Sequence, residues 1–146
     1  MSGVPKPVEV FLSYAKEDEW LCKELEKHLS LLQRQGQISA WHPRLITAGI
    51  NWSEAIDTHL NTASVIFLLI SSDFMASKYS DGKEVQRAMQ RYEHDSARVI
   101  PILLRPCDWQ DASFGKLQAL PSNGMPVTSW ANVDEAFTDD TDSYDA

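Results

Sequence analysis

The sequence predicts an α/β fold: a flavodoxin-like, doubly wound sheet of five parallel strands with helices on both faces. The first observation is Val65–Ile70, a run of six apolar residues rich in β-branched and aromatic side chains. Such a run is typical of a strand that is buried on both faces. The second observation is that apolar runs alternate with amphipathic segments across short connections. This alternation predicts parallel strands joined by crossover helices.

The first predicted helix, residues 17–35, follows a short strand at residues 8–12. Four leucines recur along it at intervals of three to four residues, the period of a helix with one buried face: Leu21, Leu25, Leu29 and Leu32. Acidic side chains cluster in its first turn, near the positive end of the helix dipole, and Gly36 ends it.

The remaining elements alternate in the same way. They are strands at residues 38–41, 64–70, 98–104 and 125–129, helices at 52–60 and 81–93, and a last helical turn at 132–137. Pro101 falls within the fourth strand, which a sheet tolerates where the proline nitrogen faces no ladder partner. The chain between residues 105 and 123 is predicted to be largely irregular.

We expect residues 1–137 to form one domain and residues 138–146 to be an acidic, disordered tail or a linker to a further domain. The formal net charge is −8, but the last thirteen residues contain six acids and no base. Without a lysine- or arginine-rich stripe on the rest of the chain, nucleic acid is not an expected partner.

No membrane partner is expected either, because no apolar stretch approaches about 18 residues and no charged-then-apolar leader is present. Cys22 and Cys107 lie far apart in the sequence. We interpret them as the reduced thiols of a cytoplasmic protein rather than as a disulfide.

Several common functional motifs are absent from the sequence. It contains neither of the two glycine-rich phosphate-binding loops and no G-x-S-x-G elbow. Its four histidines have no metal-ligand spacing, so we predict no metal site and no cofactor. A phosphorylatable receiver domain would need two acids after the first strand and a lysine after the fifth, whereas Ser13 and Tyr14 follow the first strand.

Candidate functional residues follow the first and third strands, because ligands of parallel sheets bind beyond the carboxyl ends of the strands. Ser13, Tyr14 and Lys16 follow the first strand, and Ser71 and Ser72 follow the third. Lys16 also lies near the start of the first helix, where the positive end of the dipole favours phosphate.

Glu84 lies in the first turn of the helix after the third strand and is the candidate catalytic residue. Asp81 and Glu84 also have the spacing of a capping box, in which the glutamate only closes its own helix. The residues alone leave both interpretations open.

Four segments together resemble the motif boxes of Toll/interleukin-1 receptor (TIR) domains of the bacterial, NAD-cleaving class. VFLSY at residues 10–14 resembles the first box, and RLITAG at residues 44–49 resembles the second. FLLIS at residues 67–71, followed by Glu84, resembles the third strand and the next helix. FGKLQALP at residues 114–121 resembles a stretch common in bacterial members.

The resemblance implies a hydrolase that cleaves NAD⁺ at the nicotinamide–ribose bond, with Glu84 as the catalytic carboxylate and NAD⁺ as substrate rather than cofactor. Many such sequences carry W-x-x-x-E, but here Ser80 takes the place of the tryptophan, and Tyr79 beside it offers an aromatic wall. The implied substrate-binding residues are Ser13, Tyr14, Lys16, Ser71, Ser72, Tyr79 and Ser80. Whether Glu84 acts as nucleophile or electrostatic stabiliser, and whether the product is linear or cyclic ADP-ribose, stays open.

One carboxylate is chemically sufficient for this reaction. Ordinary glycosidases use two, because the leaving oxygen must be protonated. In NAD⁺ the leaving group is already a pyridinium cation, so the second carboxyl group is not needed.

The implied partners are other TIR domains in head-to-tail assemblies, which propagate because the contact is heterologous. The implied assembly loop consists of Arg44, Leu45, Ile46, Thr47, Ala48, Gly49, Ile50 and Asn51. The isolated domain is then expected to be weakly active, and its setting to be bacterial immune signalling. The alternative is a non-catalytic TIR adaptor that only assembles, with Glu84 in a structural role.

Overall fold

A parallel sheet with helices on both faces forms the fold in the computed structural model, which describes residues 7–79 and 83–145. Its strands are ordered β2-β1-β3-β4, and all neighbours are parallel. They are β1 (Val8–Ser13), β2 (Ile38–Trp41), β3 (Val65–Ile70) and β4 (Arg98–Leu103). The helices are α1 (Glu19–Arg34), α2 (Trp52–Thr62), the short α3 (Ser72–Phe74), α4 (Lys83–Glu93) and α5 (Val133–Asp145). The predicted doubly wound parallel architecture is confirmed.

Alternation along β1 shows how the two faces of the sheet are divided. Val10, Leu12 and Tyr14 belong to the core cluster that includes the buried leucines of α1 and Phe137 of α5. Phe11 and Ala15 belong to the cluster formed with α2 and α4. Because side chains alternate along a strand, Ser13 lies on the α2 and α4 face of the sheet.

The prediction of a fifth strand at residues 125–129 is wrong, since the described residues form four strands and a 3-10 turn lies at Val127–Ser129. The outer edge of β4 explains the difference. Arg98 N and Leu104 N donate to backbone carbonyls at the two ends of β3, each at 2.9 Å. The backbone N–H and C=O groups of the odd-numbered residues between them therefore point to the outer edge of the sheet. Pro101 is one of these, and it has no N–H to offer a further strand.

A single bridge at Leu120 takes the place of the fifth strand. The Leu120 N–H donates to the Pro101 carbonyl at 2.8 Å, and the Leu120 carbonyl accepts from Leu103 N–H at 2.7 Å. Pro121 follows directly and interrupts the ladder, because it too lacks an N–H. The irregular chain predicted around this bridge still contributes to the core through Phe114, which packs edge-on against Phe74.

The predicted disordered tail at residues 138–146 is also wrong where the structure describes it, because α5 continues to Asp145. Phe137 is fully buried, and the ring of Tyr144 packs edge-on against Phe67 at 5.3 Å between centroids. The helix begins after Asn132, whose Oδ1 accepts from the backbone N–H groups of the next turn at 2.8 and 3.2 Å. Apolar residues at helical spacing thus lie among the acids of this segment. The prediction of disorder used the overall composition and did not consider this spacing. Within the described residues no helix is long and apolar enough to cross a membrane.

Candidate active site

Glu84 and Ser13 are joined by a direct hydrogen bond. Ser13 ends β1 with its side chain fully buried, and its Oγ donates to Glu84 Oε1 at 2.8 Å. Glu84 is half-buried in the first turn of α4. The contact spans 71 residues of sequence, and it forms because β1 lies beside β3 and α4 follows β3. The fold therefore brings these two predicted site residues together at the carboxyl edge of the sheet.

Two other predicted residues of this region cannot be placed. The side chain of Tyr79 and all of Ser80 lie outside the described residues, as does Asp81 of the capping box. Lys16 is exposed in the 3-10 turn Lys16–Asp18, and Ser72 is exposed at the start of α3.

Tyr14 is held on the opposite face of the sheet from Glu84. Its ring is buried in the cluster beneath α1, and its hydroxyl accepts a hydrogen bond from Arg44 Nε at 2.8 Å. Burial raises the pKa of Tyr14 despite the arginine. The structure thus links Tyr14 to the first residue of the predicted assembly loop rather than to the Glu84 carboxylate.

Arg44 is an internal anchor of that loop. Its Nη2 donates to Glu26 Oε2, and His42 Nε2 lies 2.8 Å from Glu26 Oε1. Burial works to raise the pKa of Glu26, but the hydrogen bonds with His42 and Arg44 outweigh it and hold that pKa below its ordinary value. Burial raises the pKa of the adjacent Cys22 thiol to about 12, so this cysteine is not an activated nucleophile.

The rest of the predicted assembly loop divides into inward and outward residues. Ile46 packs against the core, and Asn51 Oδ1 caps α2 by accepting from Glu54 N at 3.0 Å. Gly49 makes the turn with a φ of +87°. Leu45 and Ile50 keep 52% and 55% of their surface exposed. Thr47 and Ala48 are exposed as well.

Ser71 is engaged in a network that sequence reasoning did not predict, which we call the edge network and which comprises Asp18, Ser71, Asp73 and Arg105. Ser71 Oγ donates to Asp18 Oδ2 and also accepts from Phe74 N at 3.0 Å, capping α3. Ser71 is fully buried and thus occupied by local contacts. Its predicted contact with substrate receives no support from this arrangement.

Arg105 bridges the two carboxylates of the edge network. Its Nε donates to the fully buried Asp18 at 2.8 Å, and its Nη2 donates to Asp73 at 2.5 Å. The hydrogen bond with Asp18, followed by that with Asp73, raises the pKa of Arg105. The signal that could have revealed it is an arginine placed immediately beyond a buried strand. Within residues 7–79 and 83–145, no group of three or more histidine, cysteine, aspartate or glutamate side chains lies close enough to hold a metal.

Comparisons with known proteins identify the family through a family model and a solved structure. A family model described as TIR domain matches residues 10–137. The uncharacterized protein y4lF of Sinorhizobium fredii (strain NBRC 101917 / NGR234) is 54% identical over 128 residues, which are 88% of this chain and 40% of that protein. The chain therefore spans about two fifths of the length of this curated relative.

Two solved structures share the fold. The TIR domain of the Toll-related receptor TRR-2 from Hydra magnipapillata matches with a TM-score of 0.52 and 30% identity, over 68% of this chain and 72% of that one. The TIR domains of the activated Roq1 resistosome, which directly recognizes the pathogen effector XopQ, match with a TM-score of 0.52. At 21% identity, over 65% of this chain and 56% of that chain, the second similarity concerns the fold alone.

Proposed function

Because the chain belongs to the TIR domain family, we propose that it is an NAD⁺ glycohydrolase with Glu84 as its catalytic carboxylate. The observation that carries the proposal is the Ser13–Glu84 hydrogen bond at the carboxyl edge of the sheet. Ligands of doubly wound sheets bind at this edge, and the half-buried Glu84 carboxylate lies there. The products are nicotinamide and ADP-ribose or a cyclic ADP-ribose.

The role we assign to Glu84 is to stabilise the positive charge that develops on the ribose as nicotinamide leaves. Ser13 donates to one carboxylate oxygen and so limits the rotation of the side chain. A fixed charge costs little reorganisation when the transition state forms. Water, or an atom of the same dinucleotide, then captures the ribosyl carbon and decides whether the product is linear or cyclic.

The other substrate contacts are proposed according to where each side chain lies. Lys16 is exposed on the turn that precedes α1 and is proposed to contact phosphate, together with the positive end of the helix dipole. Ser72 is exposed beyond β3, and Tyr79 and Ser80 follow on the same connection. Ser71 is assigned to the edge network instead.

Nicotinamide release by clustered protein tests this proposal. NAD⁺ incubated with protein that carries an added histidine tag and is clustered on a nickel-bearing surface is expected to yield nicotinamide, and the dilute protein is expected to be much less active per molecule. The reason is that assembly through the loop is proposed to complete the active state. Chromatography of the nucleotides measures both. Intact NAD⁺ after incubation with clustered protein would remove the enzymatic proposal.

A second candidate function, a non-catalytic TIR adaptor, is favoured by the exposed apolar side chains around the assembly loop. Leu45 and Ile50 are joined by Trp52 at the start of α2, which is 57% exposed. Contact with another TIR domain would cover such side chains. In this reading Glu84 is structural and the protein assembles without consuming NAD⁺. For both readings we propose a bacterial cytoplasmic setting and a role in immune signalling.

Ile50→Asp is expected to weaken self-association at least tenfold. Burying an isoleucine side chain contributes about 1.5–3 kcal/mol, and the variant both loses this and adds a charge to the contact. Sedimentation over a range of concentrations measures the effect. Leu31→Asp places the same charge on an apolar side chain of similar exposure on α1, outside the assembly loop, and serves as the control. Equal association by Ile50→Asp and the unmodified protein would rule Ile50 out of the assembly surface.

A further inference from the structure

The edge network connects three segments of chain at the carboxyl edge of the sheet. Asp18 belongs to the turn after β1, Ser71 and Asp73 follow β3, and Arg105 follows β4. Asp18 is fully buried, and its carboxylate accepts hydrogen bonds from both Ser71 and Arg105. A buried carboxylate with such partners is costly to disturb, so the centre of the network is a rigid point of the fold.

Asp73 links the edge network to the segment of chain between β3 and α4, the helix that carries Glu84. It lies in α3, and the π-helical turn Met75–Tyr79 follows it directly. Ser77 Oγ donates to the Asp73 carbonyl at 2.8 Å, which ties the turn to the same residue. The connection from β3 to α4 is therefore anchored at its beginning by Asp73, while Ser13 holds Glu84 at the far end.

We propose that Arg105 is a positioning residue for Glu84 that acts through Asp73, an inference that rests on the proposed NAD⁺ cleavage. Arg105 donates from Nε to Asp18 and from Nη2 to Asp73. These donors are therefore already engaged within the protein, unlike those of an arginine that binds a substrate phosphate. A planar guanidinium bridges two carboxylates with fixed geometry, and a lysine ammonium does not. Displacement of a reacting group by about 1 Å costs roughly 100-fold in rate.

Variants of Asp73 test the proposal without breaking the buried pair. The Asp73 side chain is 37% exposed, whereas that of Asp18 is 0% exposed. In clustered protein, Asp73→Ala is expected to lower kcat about 10- to 100-fold with little change in KM or in thermal unfolding. Asp73→Glu is expected to restore most of kcat, because a longer carboxylate still reaches the guanidinium. Arg105→Lys should lower kcat by a similar factor, but it also changes the partner of the buried Asp18, so a lower unfolding temperature is expected for this variant alone.

Hydrogen exchange gives a reading that does not depend on activity. The amides of residues 71–79 are expected to exchange about tenfold faster in Asp73→Ala than in the unmodified protein, while those of α1 are unchanged. Asp57→Ala, which removes an exposed aspartate from α2, is the matched control and should change neither exchange nor kcat.

The kinetic and the hydrogen-exchange measurements distinguish failure of the proposed NAD⁺ cleavage from failure of the proposed role of Arg105. If clustered, unmodified protein releases no nicotinamide, the proposed function fails, and exchange alone decides whether Arg105 and Asp73 anchor the connection. Unchanged exchange at residues 71–79 in Asp73→Ala overturns the inference. So does a loss of kcat that Asp73→Glu does not restore, because a carboxylate at this position would then be insufficient.

Discussion

Glu84→Gln is expected to lower nicotinamide release about 10²- to 10³-fold while the protein stays folded, which is the scale for loss of one electrostatic stabiliser. Glutamine has nearly the same size as glutamate, and its amide oxygen can still accept from Ser13 Oγ, which lies 2.8 Å from Glu84 Oε1. The negative charge that would face the ribosyl cation is lost. The rate should therefore fall through kcat, because a charge that matters only in the transition state contributes little to substrate binding.

Glu93→Gln is the matched control, because Glu93 lies exposed at the other end of the same helix. Both variants lose one negative charge from α4, and only Glu84→Gln should lose activity. Self-association should be unchanged in both. Release by Glu84→Gln within about threefold of the unmodified protein would exclude Glu84 as the catalytic carboxylate. A marked fall in the unfolding temperature of Glu84→Ala, but not of Glu84→Gln, would support helix capping, because glutamine can also close a capping box.

The strands and their parallel direction could be predicted because each carries a local signal. Val65–Ile70 is apolar throughout, and this indicated its central place in the sheet. The Ser13–Glu84 contact follows from topology, since adjacent parallel strands end at one edge of the sheet. Local pattern and sheet topology were therefore enough to bring one pair of predicted site residues together.

The errors arise where a long-range partner decides the structure. Residues 125–129 have strand-like composition, but the edge that would pair with them offers Pro101 and already holds Leu120. Arg105 looked like an ordinary loop residue, because its partner Asp18 lies 87 residues earlier in the sequence. Neither fact is visible in a local window, and both concern the outer part of the sheet edge where β4 ends.

Asp140, in the segment predicted to be disordered, is a third residue whose environment is set by distant parts of the chain. Its burial is expected to make the stability of the protein depend on pH. Asp140 belongs to the core-facing stripe of α5 between Phe137 and Tyr144, and it is only 2% exposed. Among the described residues neither of its carboxylate oxygens has a hydrogen-bond partner. Burial, with repulsion from Asp139, raises the pKa of Asp140 to about 8. The folded protein therefore holds a proton there at neutral pH.

The charged groups around Asp140 do not relieve this burial. On α1, His28 faces α5 but lies with Nε2 3.1 Å from Asp134 Oδ1. On β4, the Arg98 guanidinium lies over the ring of Tyr144, 5.5 Å from its centre. Asp139, the neighbour on α5, accepts from Ser122 and adds repulsion. The carboxyl group is thus stable in this position as the neutral acid.

The stability of the protein is therefore expected to fall as the pH rises towards 8. An unfolded aspartate ionises near its ordinary pKa of 3.8, whereas the folded one ionises at about 8. Unfolding releases this proton between those values, so the contribution of Asp140 is complete below about pH 4 and lost above about pH 8. Relative to the unmodified protein, Asp140→Asn should gain roughly 4 kcal/mol between pH 5 and pH 9, at about 1.36 kcal/mol for each pH unit up to the folded pKa.

Urea unfolding at pH 5, 7 and 9 measures this gain, with Asp142→Asn as the control on an exposed aspartate of the same helix. Parallel pH profiles for Asp140→Asn and the unmodified protein would show that Asp140 is not the titrating group. Local detachment of the end of α5 from the sheet would limit the cost of ionising Asp140. A gain in urea well below about 4 kcal/mol would contradict this value, and faster amide exchange in α5 at pH 9 in the unmodified protein alone would then attribute the shortfall to local release.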